Sequence, residues 1–271
     1  MSQEMYPSIG LYNLYKKHIE EKDFSSAIPD VTKKRTLELM QVAVRCAEDW
    51  NNALDIGGGS GHYSIPLSQV FKQVTLVEPD EHEDHEILED RFPNLSIVHE
   101  FVENVVIPEK QDLILLSDIY EHIPNIEAFI AKLSTLQEKG GVIYILTPNP
   151  VSCGPAIRSA ISYTISGSHG HIRHYFKNEV EEVLAKHGYY LVHHSFEETP
   201  LRTPLRIMLR GLSRRDKRWN KRIPYRIVRP LVLVILAPIV SIIQSVAYRT
   251  EYAHRDDAEH TRSSVYIFKK L

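Results

Sequence analysis

A doubly wound α/β fold on a largely parallel sheet is what this sequence predicts, on three observations. Short apolar runs recur near residues 53, 74, 95, 112, 141, 189 and 264, with helical spacing between most of them. The first run, Ala53 to Ile56, passes directly into Gly57-Gly58-Gly59-Ser60-Gly61. Such a strand-to-helix turn visits backbone angles that a Cβ forbids and lets a ligand lie against main-chain N–H groups. The second run, Val74 to Val77, closes on an acid, Glu78, 17 residues beyond Gly61.

Each element follows in order. Tyr6 to Ile19 reads as a short aromatic helix with a linker ending near Pro29, and it lacks the basic and apolar regions of a secretory signal. Thr32 to Ala47 is helical, Tyr63 to Val70 carries apolar residues at helical spacing, and Glu81 to Glu86 reads as a charged helix face. Leu95 to His99 and Asp112 to Asp118 are the third and fourth strands, and Gly140-Gly141 introduces the fifth, Val142 to Leu146. Asn178 is the expected cap of a helix running to His187 and stopped by Gly188, and Ser264 to Lys270 is the final strand. The chain divides into residues 1–30 (N-terminal helix and linker), 31–198 (core), 199–262 (insertion between strands 6 and 7) and 263–271 (last strand). Its 271 residues suffice for one full core. Two cysteines, Cys46 and Cys153, make a disulfide framework implausible and fit a reducing, cytoplasmic compartment; Cys46 sits on the apolar pattern of the helix before the first strand, and Cys153 has no base at a suggestive spacing.

The register of the glycines distinguishes between cofactors. A dinucleotide turn needs G-x-G-x-x-G, and its third glycine falls here on His62 or Ser64. The pattern present is D-x-G-x-G-x-G: Asp55, Gly57, Gly59 and Gly61, with Gly58 between. It resembles the first motif of class I S-adenosylmethionine (SAM) methyltransferases. In that resemblance Glu78, followed by Pro79, binds the ribose hydroxyls, and Ser117 and Asp118 end the fourth strand beside the cofactor. Asp112 to Asn125, with Glu121-His122-Ile123-Pro124, resembles the ubiquinone and menaquinone methyltransferase-like branch. One departure stands out: where relatives often place a small acidic pair against the adenine, this chain has Phe101-Val102. Phe101 either stacks on the base or belongs to the core. The family implies a Rossmann-like seven-stranded sheet whose antiparallel last strand slots between the fifth and sixth.

The insertion differs in charge from the rest of the chain. Arg202 to Arg229 holds eleven Lys or Arg and one acid, a net +10, while the remainder carries −13. Leu201, Leu205, Met208, Leu209 and Leu212 keep helical spacing flanked by arginines, and Pro230 to Tyr248 is 19 uncharged residues. Topology argues against a single complete span, because the last strand would then emerge across the bilayer from its sheet, and leaves a re-entrant or surface-lying hairpin open. Peripheral contact of 202–248 with an anionic membrane surface is the leading expectation and a soluble lid the alternative. Nucleic acid is not expected, since the bases adjoin apolar sequence rather than interleaved aromatics.

Methyl transfer from a sulfonium needs alignment and water exclusion, with a base only for acceptors such as a phenol or sugar hydroxyl. Histidines are the residues to weigh. His122 follows the fourth strand, and His171 and His174 lie in a segment resembling the branch's "H-x-R-H-F" stretch, with Tyr175 replacing Phe; fixing the loop is their other reading. His169 and Asn149 are candidates for the acceptor, Asn149 alternatively capping its turn. No metal is expected, because His169, His171 and His174 match no established ligand spacing. The expected function is O-methylation of an amphiphilic or lipid-linked acceptor, quinone-like or glycolipid-like, at the inner membrane face. A soluble methyltransferase of a saccharide or secondary metabolite and a non-catalytic SAM-binding protein are the alternatives.

Overall fold

The computed structural model describes residues 10–21, 34–82, 84–151, 171–197, 242–243, 245–250, 252–259 and 261–271. Its strands are β1 (Asn52–Ile56), β2 (Gln73–Val77), β3 (Leu95–Val98), β4 (Leu113–Ser117), β5 (Val142–Pro148), β6 (Tyr189–Glu197) and β7 (Ser263–Lys270). The helices are α1 (Leu11–Glu21), α2 (Lys34–Cys46), α3 (Ser64–Ser68), α4 (His85–Arg91), α5 (Ile126–Thr135) and α6 (Lys177–Lys186). The sheet order is β3-β2-β1-β4-β5-β7-β6. The first five strands pair in parallel, and β7 runs antiparallel between β5 and β6, as the family resemblance implies.

The unbroken apolar runs reflect burial on both faces. Leu113 and Leu115 of β4, with Tyr144 of β5 and Ile267 of β7, pack into the layer holding α1, α2 and α4. Their neighbours Ile114, Leu116, Ile143, Ile145 and Phe268 face the opposite layer, with Phe129, Ile130 and Leu133 of α5 and Val180 and Leu184 of α6. Period-two alternation thus distributes a continuous hydrophobic string between two cores. Leu11, Leu14 and Tyr15 place α1 inside the first of them.

Two local expectations need correction. Helix α6 begins after Phe176, whose N–H donates to the Glu179 carboxylate at 2.8 Å, so Asn178 is already helical and caps nothing. Glu81 and His82 precede α4 rather than forming its face, and His85, its first residue, is 4% exposed. Gly188 does end α6, with φ of +84°.

The far end of the insertion returns onto the domain. Residues 245–250 are helical, Ala247 is buried, and the Tyr248 hydroxyl donates to the Glu38 carboxylate of α2 at 2.8 Å. Among the described residues no helix is long and apolar enough to cross a membrane. The basic stretch 202–229 and residues 230–241 lie outside the described residues, as do Cys153 and His169.

Candidate functional site

Strand order reverses between β1 and β4, so their carboxyl ends open the crevice in which doubly wound sheets take ligands. One wall is the glycine turn. Gly57 has φ of +68°, and a Cβ there would lie 2.0 Å from Ile119 Cδ1, so only glycine lets the turn approach the segment leaving β4. Gly59 has φ of +54°, and a Cβ there would meet nothing within 4 Å. Its N–H donates to Glu78 Oε2 at 2.9 Å, and Asp80 N–H donates to Oε1 at 3.2 Å. A carboxylate offers about four acceptor positions, so Glu78 retains capacity for a ribose diol.

The other predicted residues on this side take distinct places. Asp55 is fully buried beneath the turn, close under Gly58, and accepts from Ser64 Oγ at 2.7 Å. It braces the turn from below. Gly61 backs onto Leu88, and Pro79 is exposed beside Glu78. Phe101 is 63% exposed on the loop after β3, which overturns its core reading. Val102 is half-buried against the second core layer. Ser117 is buried at the end of β4, and Asp118 is exposed with φ of +57°, a left-handed conformation that Asp tolerates better than most residues.

His85 contributes here without having been expected to. Its Nε2 lies 2.7 Å from the Gly59 carbonyl, and its ring stacks on His99, whose Nδ1 lies 3.2 Å from the Glu78 carbonyl. The signal available was the three-residue spacing of His85 and Leu88, the two buried positions of α4.

The opposite wall rises from the 3-10 turn Tyr120–His122 after β4. Glu121 is 1% exposed, its Oε2 accepts from Thr147 Oγ1 at 3.1 Å, and its Oε1 lies 3.9 Å from His171 Nε2. The Glu121 carbonyl accepts the Ile172 N–H at 2.9 Å, which fastens the 171–174 segment to this turn. His171 Nδ1 lies 3.0 Å from His174 Nε2, and the His122 ring stands edge-on to His171 at 4.7 Å. The three histidines singled out as catalytic candidates therefore meet, around the Glu121 carboxyl. Burial, with the Asp118 charge, pushes the Glu121 carboxyl up to about 8. Burial, with adjacent His171, pushes His174 down to about 4, so its ring is neutral at neutral pH.

Asn149 has a structural place. It is 1% exposed, its amide donates to the Ala258 and Thr261 carbonyls at 2.7 and 3.1 Å, and its Oδ1 accepts from Val151 N–H. Both amide donors are engaged by backbone, so the turn-capping alternative replaces contact with an acceptor.

Comparisons with known proteins agree with this geometry. The family model of the methyltransferase domain matches residues 30–194, more than half of the chain. A curated relative, (S)-coclaurine N-methyltransferase of Thalictrum flavum subsp. glaucum, is 28% identical over 104 residues. That match takes in 36% of this chain and only 29% of the relative. A solved coclaurine N-methyltransferase, bound to N-methylheliamine and SAH, superposes with a TM-score of 0.53 at 16% identity, covering 91% of this chain and 73% of that one. A SAM-dependent methyltransferase from Archaeoglobus fulgidus gives 0.53 at 15% identity, covering 94% and 99%. At such identities the structures speak for the fold alone. The cofactor's fit rests on this chain's own turn: open space over Gly59, and the Glu78 carboxylate within hydrogen-bond reach of it. The chain belongs to the methyltransferase-domain family, as a SAM-dependent methyltransferase domain.

Proposed function

We propose that the protein methylates a hydroxyl oxygen of an amphiphilic or lipid-linked acceptor, quinone-like or glycolipid-like, at the cytoplasmic face of a membrane. The observation that carries this reading is the pair of buried Glu121 and half-buried His171, on the segment leaving β4 whose Ile119 lies against Gly57 of the turn. When bound, SAM supplies a methyl group already activated on a sulfonium. What the chain adds is alignment, exclusion of water and a destination for the acceptor's proton. The open face of the glycine turn and Glu78 hold the donor. His171 Nε2, beside the raised Glu121 carboxyl, is the proton acceptor, and its Nδ1 is turned toward neutral His174.

The amphiphilic class is supported by the +10 stretch of Arg202 to Arg229 followed by 19 uncharged residues. Ile242 and Val246, at the end of that apolar run, are 65% and 51% exposed. The likeness of Asp112 to Asn125 to the quinone-methylating branch adds a phenolic acceptor. A second reading, methylation of an amine, is favoured by the coclaurine N-methyltransferase relative. The test is release of S-adenosylhomocysteine from SAM in the presence of anionic vesicles, over phenol, sugar and amine amphiphiles matched in tail length. Turnover restricted to hydroxyl acceptors is expected. Turnover of amines alone selects the second reading, and SAM binding without turnover on any acceptor selects a non-catalytic binding protein.

A further inference from the structure

We propose that Glu121, His122 and His171 form a binding site for one divalent cation of the zinc class, with a coordination position left for the acceptor's oxygen. The last clause rests on the hydroxyl-acceptor reading; the site itself does not. The three side chains offer ligand atoms that all lie within 4.8 Å of one another. A tetrahedral ion with bonds of about 2.1 Å holds its ligands about 3.4 Å apart, so small rotations of the imidazoles close the shell. Glu121 Oε1 and His171 Nε2, at 3.9 Å, are nearly there.

An independent observation points the same way. Glu121 is 1% exposed, yet among the described residues its Oε1 has no hydrogen-bond partner, while its Oε2 is held by Thr147. Leaving a carboxyl oxygen buried and unbonded is costly, and a cation bound there removes the cost. The supports that metal ligands need are already built. His171 is fixed through Nδ1 by His174, which aims Nε2 at the carboxylate, and the Ile172 N–H bond to the Glu121 carbonyl locks the two ligand-bearing segments together. Two imidazoles and one carboxylate are the donor set of open zinc sites, in which the fourth position takes water or substrate. The chain separation between His122 and His171 explains why spacing did not show this set.

With the ion in place His171 Nε2 is a ligand rather than the base, and an acceptor hydroxyl bound to the ion loses its proton to solvent more readily. The new O–C bond then forms as the S–C bond breaks, and the electron pair returns to sulfur as a neutral thioether.

The experiment is titration of chelator-stripped protein with Zn²⁺, with Co²⁺ absorption as a readout of coordination number and SAM affinity measured on the same samples. One Zn²⁺ per chain and a four- or five-coordinate Co²⁺ spectrum are expected. Glu121→Gln, His122→Asn and His171→Asn should each weaken Zn²⁺ at least tenfold, Thr147→Val by about tenfold, and the surface control His254→Gln not at all, with SAM affinity unchanged throughout. Zinc binding equal in wild type and all three ligand variants, or octahedral Co²⁺ only, overturns the site. Intact zinc binding with turnover unaffected by chelation overturns the role toward the acceptor and leaves methyl transfer itself standing.

Discussion

The two walls of the crevice are made by opposite means. The first wall is main chain: a run of glycines whose positive φ values and missing side chains create the surface, braced by Asp55, Glu78 and His85. The opposite wall is side chain: Glu121 and His122 from the exit of β4 and His171 and His174 from the approach to α6, brought together by the Glu121 carbonyl, which accepts from the later segment, and by the Tyr120–Tyr175 ring contact. A surface built of backbone tolerates no substitution at its closest approach but asks little of chemistry. A surface built of side chains divides its roles residue by residue.

That contrast can be broken most forcefully at Glu121. Glu121→Gln keeps the volume and the Thr147 bond, so methyl transfer is expected to fall about 100-fold while SAM affinity holds within twofold. A parallel loss of SAM affinity, measured by calorimetry, would mean that the walls are one unit. Gly57→Ala works in the other direction. With φ of +68° and Ile119 in the way, it should cost about 1–3 kcal/mol of stability by denaturant unfolding and weaken SAM at least tenfold. Unchanged SAM binding would show that the turn does not need its present approach to Ile119. Glu78→Gln should weaken SAM about tenfold by removing a charged acceptor, with the turnover rate at saturating SAM preserved. If turnover falls instead, Glu78 belongs to the chemistry.

The smallest effect lies outside the crevice. Burial, helped by Lys177 and His193, pushes His194 of β6 down to about 4. Since the unfolded ring titrates near about 6.5, the unfolded state binds more protons between those values, and stability is lost as pH falls from about 6.5 to about 4. His194→Gln should flatten that part of the melting-temperature profile. An identical profile in the variant would place the acid sensitivity elsewhere, with the crevice histidines next to be tried.

The same contrast governs what could be read from the chain. All seven strands and the glycine turn are contiguous, so their period and punctuation announce them. The antiparallel place of β7 followed from family resemblance rather than from any residue in Ser263–Lys270. His85 looked like one more charge in Glu81 to Glu86, because nothing local says that its ring reaches the Gly59 carbonyl. The meeting of Glu121 with His171 is a tertiary fact, held by the Glu121 carbonyl, which accepts the Ile172 and Arg173 N–H groups. Phe101 was open to two readings because an aromatic after a strand is core in most folds, and here the loop turns it outward.

The closure of the insertion has a consequence of its own. Glu197 and Ser263 are partners on the β6–β7 ladder, and Arg262 N–H donates to the Glu197 carbonyl, so the excursion leaves and returns within one rung. Asn149 clasps the returning strand to β5 just before it rejoins. Because the ends are already pinned, doubling the length between them adds only about 0.6 kcal/mol of closure entropy. Residues 198–262 thus enter and leave the sheet at a single rung, and a change of length between Glu197 and Ser263 is expected to leave the glycine turn untouched as long as the contacts of Tyr248 with Glu38 and of Asn149 with Ala258 and Thr261 are kept.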